Sequence, residues 1–245
     1  MVTSERTKQG ERNKVQGVNI FRDRKEAGRL LAARLSAYRD DPTALILALP
    51  RGGVEVAFAI SQDLRKPLDV FISRKLGAPD NPEYAIGAVT ETGSIYWNPE
   101  AIRMMGGFST ASRYCDEMVH AQRDEIRRRQ GLYRNGRPLP DLTDRTVLLV
   151  DDGVATGATF LAAIEALRGL RVRRLIAAVP VGPEETLRKI AAAVDTLVTL
   201  SMPGQFAAVG NHYVNFQQIS DDEVVRRLIQ ARAFDTQQEN GKRST

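Results

Sequence analysis

The chain has 245 residues, 42% of them hydrophobic and only 6% aromatic, which suits one α/β core built from aliphatic side chains. One cysteine and two histidines leave no internal disulfide and argue against a His/Cys zinc site. No apolar run approaches the ~18 residues that span a bilayer, the polar opening MVTSERTKQGERNK lacks the apolar stretch of an export signal, and the net charge of +5 admits an anionic small substrate, nucleic acid or simply a basic surface.

Residues 1–17 and 236–245 are polar and read as disordered tails around a single domain over 18–235. In FRDRKEAGRLLAARLSAY (21–38), Ala27, Leu30, Leu31, Ala33 and Leu35 fall at near-helical spacing, so an amphipathic helix is expected. ALILALP (44–50) is an apolar run closed by PRGG and followed by helical VEVAFAISQDL: strand, tight loop, helix. LDVFISRK (68–75) reads as one strand ending in two cations, Arg74 and Lys75. AIGAVTETGSIYW (85–97) alternates around a Thr-Gly turn and reads as a hairpin. A long polar helix follows over 109–134, inside a helical insertion of about 98–140. Its stretch RDEIRRRQGLYRNGR (123–137) interleaves acids with arginines, offers no ladder of aromatics for bases, and reads as a solvated face. Cys115 and His120 lie on this helix and read as residues without chemistry, His120 facing solvent.

TVLLVDDGVATGATFLAAIEAL (146–167) is the clearest strand–loop–helix of the chain. RRLIAAVPVG (173–182) repeats the strand, a helix follows at 184–193, and DTLVTL (195–200) is the last parallel strand. Residues 201–235 form an aromatic-rich loop and a short helix capped by Ser220 or Asp221. Apolar strands alternating with helices imply an α/β fold: a doubly wound, mostly parallel sheet with flanking helices, plus the hairpin and the helical insertion. Ligands of such sheets sit at the carboxyl ends of the strands.

The chemistry concentrates in VLLVDDGVATGAT (147–159). A buried-type strand stops at two adjacent carboxylates, Asp151 and Asp152, which are costly to bury uncompensated and can instead meet hydroxyls or a metal in a cleft. Gly153 and Gly157 permit tight turns and close ligand approach. The N–H groups of Ala155, Thr156, Gly157, Ala158 and Thr159 would converge at a helix N-terminus, a site for a phosphate dianion. Acids for a polyol beside a nest for a phosphate match the layout of ribose 5-phosphate. The plainer alternative is an ordinary βα turn with a threonine as N-cap.

The run VLLVDDGVATGAT, including Val154, resembles the signature that binds 5-phosphoribosyl-1-diphosphate (PRPP) in type I phosphoribosyltransferases. FRDRKEAGRLLA (21–32), ALPRGGVEVA (48–57), SRKLGAPDNPEYAIGAV (73–89), AVPVG (178–182) and FAAVGNHYVNF (206–216) extend the likeness to predicted phosphoribosyltransferases of unassigned acceptor. The resemblance implies a pyrophosphate loop at Arg51, Gly52 and Gly53, where glycines bring N–H groups close to oxygen and Arg51 adds charge. It implies further pyrophosphate contacts from Arg74 and Lys75, with Lys75, Asp151 and Asp152 acting in catalysis. GAPDNPEYA (77–85) would be a mobile lid, with Glu83 and Tyr84 as weaker candidates for the site. The segment of about 201–235 would be a small hood over the acceptor, whose aromatics Phe206, His212, Tyr213 and Phe216 either stack on a planar acceptor or pack the C-terminal helix.

The reaction so implied transfers the 5-phosphoribosyl group to a small nitrogenous acceptor, a nucleobase or amine, with release of pyrophosphate. Mg2+ is the implied cofactor, met by Asp151 and Asp152. The resemblance also implies a homodimer acting in nucleotide metabolism; the lone cysteine and the polar opening point to the cytoplasm, no membrane partner is expected, and a nucleic-acid partner is disfavoured. Two other functions fit the same pocket: a PRPP-binding regulator without turnover, and a hydrolase of phosphoribosyl or related phosphoester substrates.

Overall fold

The computed structural model describes residues 20–79, 81–105 and 108–243. The proposed tail at 1–17 lies outside them.

Five strands form one parallel sheet: β1 (Ala44–Ala48), β2 (Leu68–Val70), β6 (Thr146–Val150), β7 (Arg174–Val181) and β8 (Thr196–Ser201), in the order β2-β1-β6-β7-β8. β1, β2, β6 and β7 are buried on both faces while edge strand β8 is half-buried over most of its length, and alternation divides the side chains between two cores. Ile46, Ala48, Leu148, Val150, Ile176 and Ala178 join a cluster with Ala27, Leu31, Val54 and Ile60 from α1 (Arg24–Arg34) and α2 (Gly52–Leu64). Leu45, Leu47, Val147, Leu149, Leu175 and Ala177 join Phe160, Ile164, Leu187 and Ile190 from α5 (Ala158–Gly169) and α6 (Glu184–Ala193). Helices on both faces make the sheet doubly wound, as the sequence pattern implies.

A second sheet, β3 (Ser73–Ala78), β4 (Asn81–Thr90) and β5 (Ile95–Trp97), is antiparallel in the order β3-β4-β5. The expected hairpin is its β4–β5 pair, closed by Thr90 N–H donating to Ser94 O at 2.9 Å. The single strand expected over 68–75 is two strands in different sheets. Phe71 N–H still donates to Ala48 O of β1 (2.9 Å), but Ile72 N–H donates to Glu91 Oε1 (2.7 Å) at the hairpin turn, so the chain changes partner between them. Arg74 and Lys75 consequently sit inside β3, opposite Val89 and Ala88, rather than at a strand end. The segment expected as a lid loop is strand over much of its length, with Gly77 opposite Ala85 and Ala78 opposite Asn81 across a register shift.

In α1, Ala27, Leu31 and Leu35 are buried as expected, but Leu30 and Ala33 face solvent, and Arg24 is buried instead. α3 (Pro99–Met104) and α4 (Phe108–Arg134) fill the insertion. α4 is not merely a solvated face. Arg129 and Arg134 are buried, and Arg134, 1% exposed, pairs with Asp69 (Nε to Oδ1, 3.1 Å) and with Glu91 (Nη2 to Oε1, 2.8 Å). Arg127 and Arg128 pair with Asp124 and Glu125. Cys115 is buried in this helix, while His120 is exposed. α7 (Asp221–Arg243) is capped by Ser220, whose Oγ accepts from Glu223 N while Glu223 Oε2 accepts from Ser220 N (2.7 Å). It is a long helix rather than a short one, and it continues over 236–243, where composition alone suggests a disordered tail. Among the described residues no helix is long and apolar enough to cross a membrane.

Candidate active site

β1 and β6 pair in register from Ala44 opposite Thr146 to Ala48 opposite Val150, so both strands end at the same level. The loops that follow, Pro50–Gly53 and Asp151–Gly157, therefore leave the sheet side by side. A β carbon added to Gly53 would lie 2.9 Å from Asp151 Cα, and one added to Gly52 would lie 1.9 Å from Asp152 Oδ2. Only glycine allows the two loops to touch at these points. The Pro50–Arg51 peptide bond is cis, and α2 begins immediately after it.

The carboxylates are held by backbone and by charge. Asp151 Oδ1 accepts from Asp152 N–H at 2.8 Å. Asp152 Oδ2 accepts from Arg24 Nε at 2.6 Å. Burial pushes the Asp151 carboxyl well above the usual range, and the neighbouring Asp152 pushes it further. Asp152 is also raised by burial, against the pull of the Arg24 guanidinium. The fold thus disfavours the ionised form of both carboxyls, and the Arg24 guanidinium offsets this only in part.

Beyond the carboxylates the chain turns onto α5. Val154 N–H donates to Val181 O at 3.0 Å, which fixes the loop to the end of β7. Ala155 and Thr156 are exposed, and Thr186 of α6 anchors the turn by donating to Ala155 O at 2.7 Å. The N-cap of α5 is Gly157 at φ 75°, which has no side chain to cap with, and Thr156 just before it accepts from Ala158 N–H at a long 3.5 Å, so the threonine cap of an ordinary turn forms only weakly. Leu161 N–H reaches back to Gly157 O at 2.8 Å. The N–H groups before it begin the helix without an intrahelical acceptor, the arrangement that binds anions. Gly153, Val154, Gly157, Ala158 and Thr159 complete this turn; the first four are buried, and Thr159 is half-buried.

Arg51 and Arg74 share one electrostatic neighbourhood. Burial lowers the Arg74 pKa, and the positive charges of Arg129 and Arg51 lower it further. Arg74 Nε donates to Gln122 Oε1 of α4 at 2.9 Å, and Arg51 Nη1 lies 3.8 Å from Asp221 Oδ1. By strand alternation Lys75 lies on the opposite face of β3 from Arg74, and both are half-buried. The Glu83 side chain lies outside the described residues, and Tyr84 is exposed. Tyr114 of α4 donates to Gly77 O at 3.1 Å and ties the base of this hairpin to the insertion.

The hood aromatics neither simply pack α7 nor stand free. His212, 5% exposed, stacks on Phe206 with ring centroids 5.1 Å apart; its Nδ1 has no hydrogen-bond partner, and burial lowers its pKa. Tyr213 stacks on Phe216 at 5.2 Å and donates its hydroxyl to the Asp152 main-chain oxygen at 2.6 Å. Phe216 lies under the Arg24 guanidinium, 3.8 Å from its carbon to the ring centroid. Arg24 is therefore the site residue that sequence reasoning misses. Its signal is the pattern FRDRKEAG at the head of an otherwise ordinary amphipathic helix, where an arginine reads as surface.

A family model described as the phosphoribosyl transferase domain matches residues 19–213. A Mycobacterium tuberculosis protein, described in strains H37Rv and CDC 1551 as a candidate phosphoribosyl transferase, is 42% identical over 214 residues, 87% of this chain and 47% of that protein. The chain spans about half the length of the curated relatives it matches. The crystal structure of TT1426 from Thermus thermophilus is 41% identical and superposes with a TM-score of 0.70, covering 86% of this chain and 98% of that one.

Proposed function

This chain belongs to the phosphoribosyl transferase domain family, and from that premise we propose that it binds PRPP across the ends of β1 and β6 and transfers the phosphoribosyl group to a small nitrogenous acceptor. The observation that supports this most is the contact between the Gly52–Gly53 turn and the Asp151–Asp152 carboxylates, which brings a cationic glycine loop against a polyol-binding edge.

On this reading Asp151 and Asp152 accept hydrogen bonds from the ribose hydroxyls. The N–H groups of Ala155–Thr159 take the 5-phosphate. Arg51, the N–H groups of Gly52 and Gly53, and Arg74 face the pyrophosphate, and Lys75 is assigned to the leaving group by resemblance. The C1–O bond to pyrophosphate breaks as an acceptor nitrogen bonds to C1 from the other face, and the acceptor's proton leaves to solvent. The bonding electrons depart with pyrophosphate, so charge grows where the cations stand. The protein's task is positioning and charge balance rather than covalent catalysis.

Two adjacent carboxyls whose ionised forms burial disfavours are hard oxygen donors that a cation such as Mg2+ would stabilise in the ionised form. Among the described residues no group of three or more His, Cys, Asp or Glu gathers as a metal site, so most of the ion's ligands would come from PRPP and water. When bound, Mg2+ would neutralise the pyrophosphate oxygens. The same reading carries a homodimer acting in the cytoplasm in nucleotide metabolism.

The test is a screen of nucleobases and small amines for PRPP- and Mg2+-dependent pyrophosphate release. Gly157→Val serves as the control. Its added side chain would meet Thr186 Cγ2, already 2.7 Å from a β carbon there, at a backbone φ of 75° that valine resists. Release by the native protein and none by a folded Gly157→Val supports the reading. Ribose 5-phosphate and pyrophosphate from PRPP alone would make the protein a hydrolase. PRPP binding without any product would make it a regulator.

A further inference from the structure

Asp152 is gripped from both ends by segments far from it in sequence. Arg24 of α1 donates from Nε to Asp152 Oδ2 at 2.6 Å, and from Nη1 to Gln217 O at 2.8 Å. The guanidinium carbon stands 3.8 Å above the Phe216 ring and 6.0 Å from that of Tyr213. Tyr213 in turn holds the main-chain oxygen of Asp152 at 2.6 Å. Both charged side chains are largely buried, at 10% and 14% exposure. A β carbon at Gly52 would fall 3.1 Å from Arg24 Nε, so the carboxylate is wedged between the glycine loop and the guanidinium.

We propose that Arg24 is a positioning residue for Asp152, aiming its carboxylate at the ribose hydroxyls and coupling that aim to the hood through Phe216 and Gln217. The proposal rests on the reading of Asp152 as a ribose ligand. A carboxylate with one oxygen anchored to a fixed guanidinium presents its other oxygen in one direction, so the orientation is set before a ligand arrives. The residue type fits that task. A guanidinium donates in two directions in its plane while its face rests on an aromatic ring; an ammonium supplies the charge without the fork or the stack. The hood segment at 212–214 and the residues that lead into α1 are joined as well, with Phe21 N–H donating to His212 O at 2.9 Å and Val214 N–H to Phe21 O at 2.8 Å. Movement of Phe216 over an acceptor would thus be felt at Arg24 and, through it, at Asp152.

The experiment is calorimetric titration of the full chain with PRPP and Mg2+, comparing native protein, Arg24→Ala, Arg24→Lys, Asp152→Asn and the double variant Arg24→Ala/Asp152→Asn. Arg24→Gln stands in should Arg24→Ala not fold, as judged by its melting curve. Arg24→Ala is expected to weaken PRPP at least tenfold, and Arg24→Lys, which keeps the charge without the fork or the stack, to stay at least threefold weaker than native. In the Asp152→Asn background, removing Arg24 should change affinity less than threefold, because the carboxylate it aims is already replaced by an amide. Losses that multiply in the double variant, or full recovery of native affinity with lysine, overturn the positioning role while native binding of PRPP keeps the proposed function intact. No binding by the native protein overturns both.

Discussion

Asp152 stands where a side chain on residue 52 would have to go: a β carbon at Gly52 would meet its Oδ2 at 1.9 Å and its Cγ at 2.6 Å. At Gly53 the obstacle is different, namely Asp151 Cα and Val150 O, both at 2.9 Å. A carboxylate can rotate away and backbone cannot. Gly52→Ala should therefore fold but turn Asp152 off Arg24, weakening PRPP at least tenfold with a small fall in melting temperature. Gly53→Ala must push two strands' loops apart and should cost about 1–3 kcal/mol of stability, the usual range for overpacking. Urea denaturation and PRPP titration of the two variants separate the effects. Equal stability losses would show that the loops are not in rigid contact.

The strand–loop–helix at 146–167 is legible in the sequence because a buried strand cannot end in two carboxylates without a reason, and the glycines mark where backbone must turn. Both faces of the sheet are legible for a similar reason: Leu45–Leu47 and Ile46–Ala48 are apolar at every position. The break at Phe71–Ile72 is not legible, since both residues are apolar and buried in either sheet, and the change of partner depends on Glu91 in a distant turn. Arg24 and Arg134 are hidden for another reason. Arginine on a helix is ordinarily a surface residue, and only the tertiary structure supplies the carboxylates that allow its burial.

Arg134 tests that last point. Its guanidinium is held by Asp69, Glu91 and Val70 O, joining α4 to the end of β2 and to the hairpin turn. Arg134→Met keeps the apolar stem but leaves two largely buried carboxylates without their cation. The expected loss is about 3–5 kcal/mol, the range for breaking a buried pair from one side. Adding Glu91→Gln should recover part of it. Equilibrium unfolding in urea measures both, and a loss below about 1 kcal/mol would mean that the network is solvated.

The two carboxylates of the site should differ in what neutralising them does to stability. Asp151 has its folded-state pKa raised by burial and by Asp152. A group raised on folding contributes no penalty below the ordinary carboxylate range, and stability falls as pH climbs from there through the folded-state value, by about 1.4 kcal/mol per pH unit between the two. Asp151→Asn removes that fall. The variant should match the native protein near pH 4, melt at a progressively higher temperature than it as pH climbs toward the folded-state pKa of Asp151, and keep a constant lead above it. Asp152→Asn also loses a raised group, but it strips Arg24 of its partner, so its melting temperature should drop at pH 7. Parallel native and Asp151→Asn profiles across that range would show that the carboxyl is solvated.

Arg74 and Lys75 are neighbours on β3 with different surroundings, and this separates ground-state binding from turnover. Arg74 lies among cations: Arg129 and Arg51 both lower its pKa, and an anion between Arg51 and Arg74 would relieve that repulsion. Neutralising Arg74 should weaken PRPP roughly tenfold while leaving ribose 5-phosphate, which has no pyrophosphate, within threefold of native, a loss of the size expected for a charge-assisted contact. Lys75 points to the other face of β3 by alternation. If it meets the departing pyrophosphate as that charge develops, its contact strengthens in the transition state and shows in turnover more than in binding. Lys75→Ala should then slow turnover roughly ten- to a thousand-fold, the scale of losing one charge-stabilising donor, with PRPP and ribose 5-phosphate affinities little changed. Titration of both ligands and steady-state pyrophosphate release on the two variants decide the matter. If Arg74→Ala weakens both ligands alike, its charge is not at the pyrophosphate. If Lys75→Ala leaves turnover at the native rate, the lysine belongs to the packing of β3, and Arg51 with Arg74 faces the leaving group without it.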